Sequence, residues 1–118
     1  MSAPNILNAS NCVGKTTAFA ATTTVTAVVT NAASSNTLYK INTITATNSN
    51  TASTTVSVEL YRSTTSFPLA SNITVPAGTM LAILGKDTPI YVEEGDAIRV
   101  SAGANSYITT FTSYEVIS

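Results

Sequence analysis

Two short segments of this chain carry side chains that could do chemistry. The first, residues 9–16 (ASNCVGKT), fits a loose phosphate-binding loop in which Ala9 takes the first glycine position. In such a loop backbone amides would hold phosphates, Lys15 would reach the terminal phosphates and Thr16 would bind a magnesium ion. However, no buried strand precedes the segment, and β-branched residues follow where a helix would have to begin. We interpret the match as a coincidence where an arm meets a strand.

The second segment is an acidic turn, residues 93–96, in which Glu93, Glu94 and Asp96 surround Gly95. Three carboxylates could hold a calcium ion or act as an acid–base pair. A plain turn is the simpler interpretation, because Gly95 supplies a positive φ and Asp96 can bond its own backbone or start the next strand. We favour the turn and keep a weak cation site as the alternative.

The composition offers these segments little support for catalysis. The chain has no histidine, a single cysteine (Cys12) and only 9% charged residues. Acid–base and metal chemistry need clusters of His, Cys and carboxylates. We therefore predict that the protein is not an enzyme and has no catalytic residue, metal site or cofactor. A single cysteine also excludes an intrachain disulfide.

Charge and hydropathy exclude two classes of partner. The net charge is −1, and the basic residues are scattered singly, whereas nucleic-acid binding needs basic clusters. No stretch approaches the roughly 20 apolar residues of a membrane helix. The start of the chain has no basic segment followed by an apolar run, so no signal peptide is expected. We predict no nucleic-acid partner and no membrane association.

Strand patterns dominate from Lys15 to the end of the chain. About a third of the residues are Thr or Ser, and β-branched side chains favour extended backbone. Eight or nine short strands follow at roughly ten-residue spacing, which is typical of an antiparallel sandwich or jelly roll. We predict an all-β fold: a single antiparallel β-sandwich or jelly-roll-like domain over residues 15–118, preceded by an extended N-terminal arm over residues 1–14.

Particular strands follow from alternation and from breakers. Thr54 to Arg62 is the clearest strand, with Val56, Val58 and Leu60 facing inward. The first long run should break near residues 22–24, because it exceeds an ordinary strand in length. Pro68 cannot donate to a central ladder, so its segment should lie at a sheet edge or a bend.

The sparse charge also predicts assembly. Free-standing soluble proteins use charge to resist self-association, and a neutral surface rich in Thr, Ser and Ala suits packing against neighbours. Tyrosine is enriched at interfaces, so we assign four tyrosines to the core rim or a subunit interface, in preference to a carbohydrate platform: Tyr39, Tyr61, Tyr91 and Tyr107. The Thr arrays at residues 22–26 and 43–47 lack the fixed repeat of an ice-binding face.

Several turn and strand segments also carry a family resemblance. They are residues 75–79 (VPAGT), 90–100 (IYVEEGDAIRV) and 113–118 (SYEVIS), together with residues 3–6 (APNI) near the start. Through these segments the chain resembles small virion structural proteins of tailed bacteriophages, notably those of cyanobacterial hosts. The resemblance implies a β-sandwich mounted on a particle, without catalytic residues or a cofactor.

Two functions are compatible with that resemblance. A capsid decoration (cement) protein, made in the host cytoplasm, would bind the outer capsid surface and bridge major capsid subunits. Its partners would be the major capsid protein and copies of itself, preferably as a trimer. The shell-binding arm would comprise Ser2, Ala3, Pro4, Asn5, Ile6, Leu7 and Asn8. The alternative is a tail-fibre or receptor-binding head module that recognises host surface glycans. We prefer the cement protein, since the repetitive shaft, Trp and charged tip loops of many fibre heads are missing from this sequence.

Overall fold

The computed structural model describes residues 11–85 and 87–118, and all of its regular elements are strands. Within these residues there is no helix that could span a membrane. The nine strands are β1 (Cys12–Ala20), β2 (Thr26–Thr30), β3 (Leu38–Asn48), β4 (Thr54–Arg62), β5 (Thr65–Val75), β6 (Met80–Leu84), β7 (Ile90–Val92), β8 (Ala97–Ala102) and β9 (Ile108–Ile117).

The strands form two antiparallel sheets that pack as a sandwich. Sheet 1 has the order β1-β9-β3-β6. Strand β7 pairs with the same edge of β3 as β6 does, but with residues 39–41 near the start of β3. Sheet 2 has the order β2-β8-β4-β5. The chain crosses repeatedly between the sheets, and β6 and β7 together act as one interrupted edge strand. This is the strand order of a jelly roll, so the predicted fold class is confirmed.

Strand β4 and its neighbours follow the sequence pattern closely. It has the predicted bounds, and Val56 and Val58 are fully buried. The chain bends between β1 and β2 near residue 23, as predicted. Strand β5 is the outer strand of sheet 2, so Pro68 lies at an edge. Residues 63–64 form a two-residue turn between β4 and β5, because Thr65 already pairs with Arg62.

The first strand begins earlier than the sequence indicates. Cys12 pairs with Ile117 in the β1–β9 ladder, and backbone hydrogen bonds of 2.8 and 2.9 Å join Asn11 to Ser118. The boundary predicted at residue 14 therefore falls inside β1. The cause is the long terminal strand β9, which offers Val13 and Gly14 partners although the segment shows no sustained alternation. The predicted arm residues Ser2 to Asn8 lie outside the described part of the chain.

A buried apolar cluster lies between the two sheets. Its large, fully buried members come from six strands: Ile41, Ile44, Val56, Val58, Val75, Val92, Ile98, Val100 and Ile108. In β3 the predicted alternation fails, because both Ile41 and Ile44 are buried. A register shift between Ile41 and Thr43 against β9 puts one extra residue into the strand and restores the inward face.

Two buried asparagines join the sheets at opposite ends of the sandwich. The Asn31 amide nitrogen, beyond β2 of sheet 2, donates to the carbonyl of Val92 on β7 of sheet 1 at 3.0 Å. The Asn48 amide nitrogen, at the end of β3 in sheet 1, donates to the carbonyl of Val75 on β5 of sheet 2 at 3.0 Å. Both side chains also bond the following turn, through Thr37 and Ala52 respectively. Each side-chain amide thus stabilises a turn and also links the two sheets.

Two buried threonines on the inner face of β9 differ in their hydrogen bonding. Thr110 and Thr112 are both fully buried. The Thr110 hydroxyl donates to the Phe19 carbonyl at 3.3 Å, whereas the Thr112 hydroxyl has no hydrogen-bond partner within the described residues. A buried hydroxyl without a partner lowers stability, because its desolvation is uncompensated.

We predict that Thr112→Val raises the free energy of unfolding by about 1 kcal/mol, since valine keeps the shape and removes the unpaired hydroxyl. The matched control is Thr110→Val on the same strand face, which loses a hydrogen bond and should lower stability by about 1 kcal/mol. Chemical denaturation of both variants measures the difference. Equal shifts in the same direction would contradict this account of the core.

Candidate binding surface

The two ends of the sandwich differ in what they present. One end, here called the terminal pole, holds Asn11, Ser118 and the connections at residues 31–37, 63–64 and 93–96. The opposite end, the loop pole, holds the connections at residues 21–25, 49–53, 76–79 and 103–107. The pairing of Cys12 with Ile117 and of Ala20 with Thr109 fixes this arrangement.

The two poles also differ in the number of charged residues that they carry. The loop pole has no charged residue in any of its four connections, and residues 63–85 are also free of charge. The acidic turn and Arg62 lie at the terminal pole, Lys15, Lys40 and Glu115 lie in the half of sheet 1 nearer that pole, and Glu59 and Arg99 lie midway along sheet 2. The described charges thus lie away from the loop pole.

The acidic turn is held together by ion pairs. Arg62 donates to Asp96 through Nε at 2.8 Å and through Nη2 at 2.5 Å, and to Glu93 at 2.9 Å. Asp96 is buried and also accepts a hydrogen bond from the Glu93 backbone amide at 3.0 Å. Glu94 caps the amide of Asn36 at 2.7 Å. The hydrogen bonds that Arg62 donates to Asp96, and then the negative charge of Asp96, raise the pKa of Arg62 against the opposing effect of burial.

These bonds give the turn a structural role. Glu93 and Asp96 share Arg62 as partner, whereas Glu94 is turned to the Asn36 amide. The described residues contain no group of three or more His, Cys, Asp or Glu side chains that could hold a metal ion. The segment that resembles a phosphate-binding loop also has a structural role. Thr16 lies in the middle of β1, where its hydroxyl is 3.1 Å from that of Ser113, so no loop or helix N-terminus forms there.

A second ionic cluster lies on the outer face of sheet 2. Arg99 pairs with Glu59, and its guanidinium carbon lies 3.9 Å from the centroid of the Tyr61 ring. Ser66 donates to Glu59 at 2.8 Å. Burial opposes the charge of Glu59, but the hydrogen bonds from Ser66 and Arg99 and the charge of Arg99 outweigh it and lower its pKa. The cluster ties β4, β8 and the start of β5 together.

The outer face of sheet 1 carries no charged side chain between the middle of the sheet and the loop pole. Strand register aligns its side chains in rows, for example Ala18, Phe111, Thr45 and Ala82. Neighbouring rows contain Thr, Ser and Ala around the exposed Met80. We call this surface the neutral face; it consists of Thr16, Ala18, Ala20, Thr43, Thr45, Thr47, Met80, Ala82, Thr109, Phe111 and Ser113. The threonine array at residues 43–47 supplies three of its members.

The free edges of β5 and β6 form an apolar flank, here called the β5/β6 flank. Phe67 and Ile73 pair with Leu60 and Val56 and so face the inside of the sandwich, yet they are 50% and 40% exposed. Leu69 and Met80 are exposed on the same flank. The core is thus open along this side of the molecule.

The four tyrosines assigned to an interface lie in four different places. Tyr39 stacks on Tyr114 with ring centroids 5.6 Å apart, and Tyr61 lies beneath Arg99. Tyr107 packs against the core beside the loop pole. Tyr91 is exposed on β7. They do not form one surface, and their part in an interface stays a prediction.

Comparison with known proteins supports the fold. No protein-family model matches the chain, and no curated protein matches it. A solved structure of Bacillus endospore appendages, described as a novel family of disulfide-linked pili, matches with a TM-score of 0.55 and 12% identity over 99% of this chain and 95% of that one. A chain of the T13 IBDV viral particle matches with a TM-score of 0.52 and 11% identity over 92% of this chain. The match spans 31% of the viral chain. At these identities the likeness shows the fold alone.

The Glu59 cluster predicts an acid-sensitive stability. Because the folded protein lowers the pKa of Glu59 from its ordinary 4.5, its stabilising effect is present above that value and is lost as the pH falls through the lowered pKa. The melting temperature of the wild type should exceed that of Glu59→Gln near pH 7, and the difference should shrink towards about pH 3. A difference that stays constant over this range would contradict the role of the Glu59 charge.

Proposed function

We propose that the protein is a non-enzymatic structural subunit of a virus particle, specifically a capsid decoration (cement) protein of a tailed bacteriophage. It would bind the outer shell, bridge neighbouring major capsid subunits and associate with copies of itself. The single observation that carries this proposal is the neutral face with Phe111 at its centre. This surface of small Thr, Ser and Ala side chains around the exposed Met80 and Phe111 carries no charge, so covering it buries no unpaired charge.

The shape of the molecule suits attachment to a shell. The neutral face is a broad sheet surface with small side chains, so it can lie against another protein without steric obstruction. The segment of residues 2–8 leads into the terminal pole and, as the proposed shell-binding arm, would add a second contact. Two contacts on one subunit raise the effective affinity for an assembled lattice, and binding only the assembled state stabilises it by mass action.

A second candidate is a subunit of a self-assembling appendage. It is favoured by the match to the Bacillus endospore appendage structure, which covers nearly all of both chains. In that case the exposed surfaces would meet other copies of the same chain and no capsid shell would be needed.

The test is co-sedimentation with undecorated phage heads. Phe111→Glu puts a charge at the centre of the neutral face and should weaken shell binding at least about tenfold, equivalent to about 1.4 kcal/mol. The matched control is Ser101→Glu on the outer face of sheet 2, which should bind like the wild type. Because Phe111 is exposed on an outer face, the variant should remain folded, and a thermal melt checks this.

A third protein, lacking residues 2–10, tests the arm. The deletion ends before Asn11 because β1 begins at Cys12, so the domain should fold and bind heads more weakly. Equal binding by Phe111→Glu and the control would reject the neutral face as the shell contact. Binding of the wild type only to tails or host cells would reject the cement function and favour the fibre-head module.

A further inference from the structure

We infer that Met80 is an oxidation site within the neutral face, and that a peroxide which oxidises its thioether to the sulfoxide weakens association through this face. The inference rests on the proposed function, because it assigns a chemical control to the surface that is proposed to bind the shell. The control acts on one side chain and leaves the fold of the sandwich unchanged.

Met80 is the most exposed large apolar side chain in the described part of the chain. Its exposed fraction is 63%, whereas that of Phe111 in the same face is 39%. The residue begins β6, which is an outer strand of sheet 1. Its pairing with Thr47, which in turn pairs with Thr109, places the side chain on the outer face. A small oxidant can therefore reach the sulfur atom without any opening of the domain.

The surroundings of Met80 make the face sensitive to a change in polarity. Along its row of paired residues lie Thr47, Thr109 and Ala20, and Ala82 follows on the same side of β6. A thioether sulfur is only a weak hydrogen-bond acceptor, so a partner can cover it at little cost in desolvation. A sulfoxide oxygen is a strong acceptor, and covering it without a donor opposes binding because its desolvation is uncompensated.

The oxidation transfers one oxygen atom to the sulfur. A lone pair of the Met80 sulfur attacks one oxygen of hydrogen peroxide, the O–O bond breaks, and an S–O bond forms. The sulfur loses an electron pair and the peroxide is reduced, because the hydroxide that leaves takes the proton of the transferred hydroxyl group and becomes water. Methionine sulfoxide reductases reduce the product back to the thioether, so the loss of binding is reversible.

The one other sulfur atom in residues 11–85 and 87–118 belongs to Cys12. Cys12 begins β1 and pairs with Ile117 at the terminal pole, whereas the neutral face begins at Thr16 and extends towards the loop pole. Oxidation of its exposed thiol therefore does not put a polar group into the neutral face. Cys12→Ser is thus a matched control, in which peroxide can act on Met80 but not on residue 12.

The experiment treats the wild type, Cys12→Ser and Met80→Leu with hydrogen peroxide and measures their co-sedimentation with undecorated phage heads. Each protein is compared with its own untreated form, and peptide mass spectrometry checks whether residue 80 has gained an oxygen atom. Oxidation should weaken binding at least about fivefold in the wild type and in Cys12→Ser, and it should not change the binding of Met80→Leu. Methionine sulfoxide reductases should restore the binding of the oxidised wild type, and a thermal melt checks that the treated proteins remain folded.

Three outcomes would overturn the inference. The first is a wild type in which Met80 is fully oxidised and binding is unchanged. The second is a folded wild type whose Met80 resists oxidation, which would show that the sulfur is not accessible. The third is an equal loss of binding in oxidised Met80→Leu, which would assign the effect to another residue.

Failure of the proposed function is distinguished by hydrophobic-interaction chromatography on a phenyl column. If the untreated wild type does not bind heads, the cement function is rejected. The inference is then retained if oxidation lowers the retention of the wild type on the column but not that of Met80→Leu, because the neutral face has become more polar. Equal retention of the oxidised and the untreated wild type would reject the inference as well.

Discussion

The structure depends on two buried carboxamides that join its sheets. Within residues 11–85 and 87–118 no helix covers a sheet edge, and the single cysteine, Cys12, is free and exposed. Asn31 and Asn48 are 1% and 0% exposed, and each bonds a carbonyl of the opposite sheet together with the turn that follows it. Buried polar groups are stabilising only when fully bonded, so loss of either side chain would leave several backbone groups unpaired. The two asparagines therefore fix the spacing of the sheets at both ends, while the apolar residues between them supply the driving force.

The charged residues add to the contacts made by the two asparagines and the apolar core. At the terminal pole, the ion pair between Arg62 and Asp96 holds the turn after β7 in place. At the middle of sheet 2, the ion pair between Arg99 and Glu59 links three strands. The described charges that form ion pairs are thus used to hold connections in place. Large parts of the remaining surface carry no charge, among them the neutral face of sheet 1 and the β5/β6 flank. A molecule with this arrangement is suited to being one member of a larger assembly.

The sequence was sufficient for the fold class and for most strands, because alternation and turn residues are local signals. Strand β4 and the edge position of Pro68 are examples. It could not indicate that Cys12 and Val13 belong to β1, since their partners are about a hundred residues away in β9. The register shift in β3 and the pairing of Arg62 with Asp96 are also set by tertiary contacts. Of the neutral face, the sequence indicated only the threonines at residues 43–47. The other members lie side by side because of the register between strands, and a local sequence pattern contains no information on that register.

The pairing of the first described strand with the last has a consequence for synthesis on the ribosome. Strand β1 lies at the edge of sheet 1 and its only ladder partner there is β9, from Cys12 opposite Ile117 to Ala20 opposite Thr109. Until residues 108–117 have left the exit tunnel, β1 has no neighbour and β3 lacks the strand that separates it from β1. Such non-local pairing slows folding and exposes unpaired edges. Sheet 1 can therefore be completed only after the ten residues of β9 have been synthesised, and until then the edges of β1 and β3 that β9 covers stay unpaired.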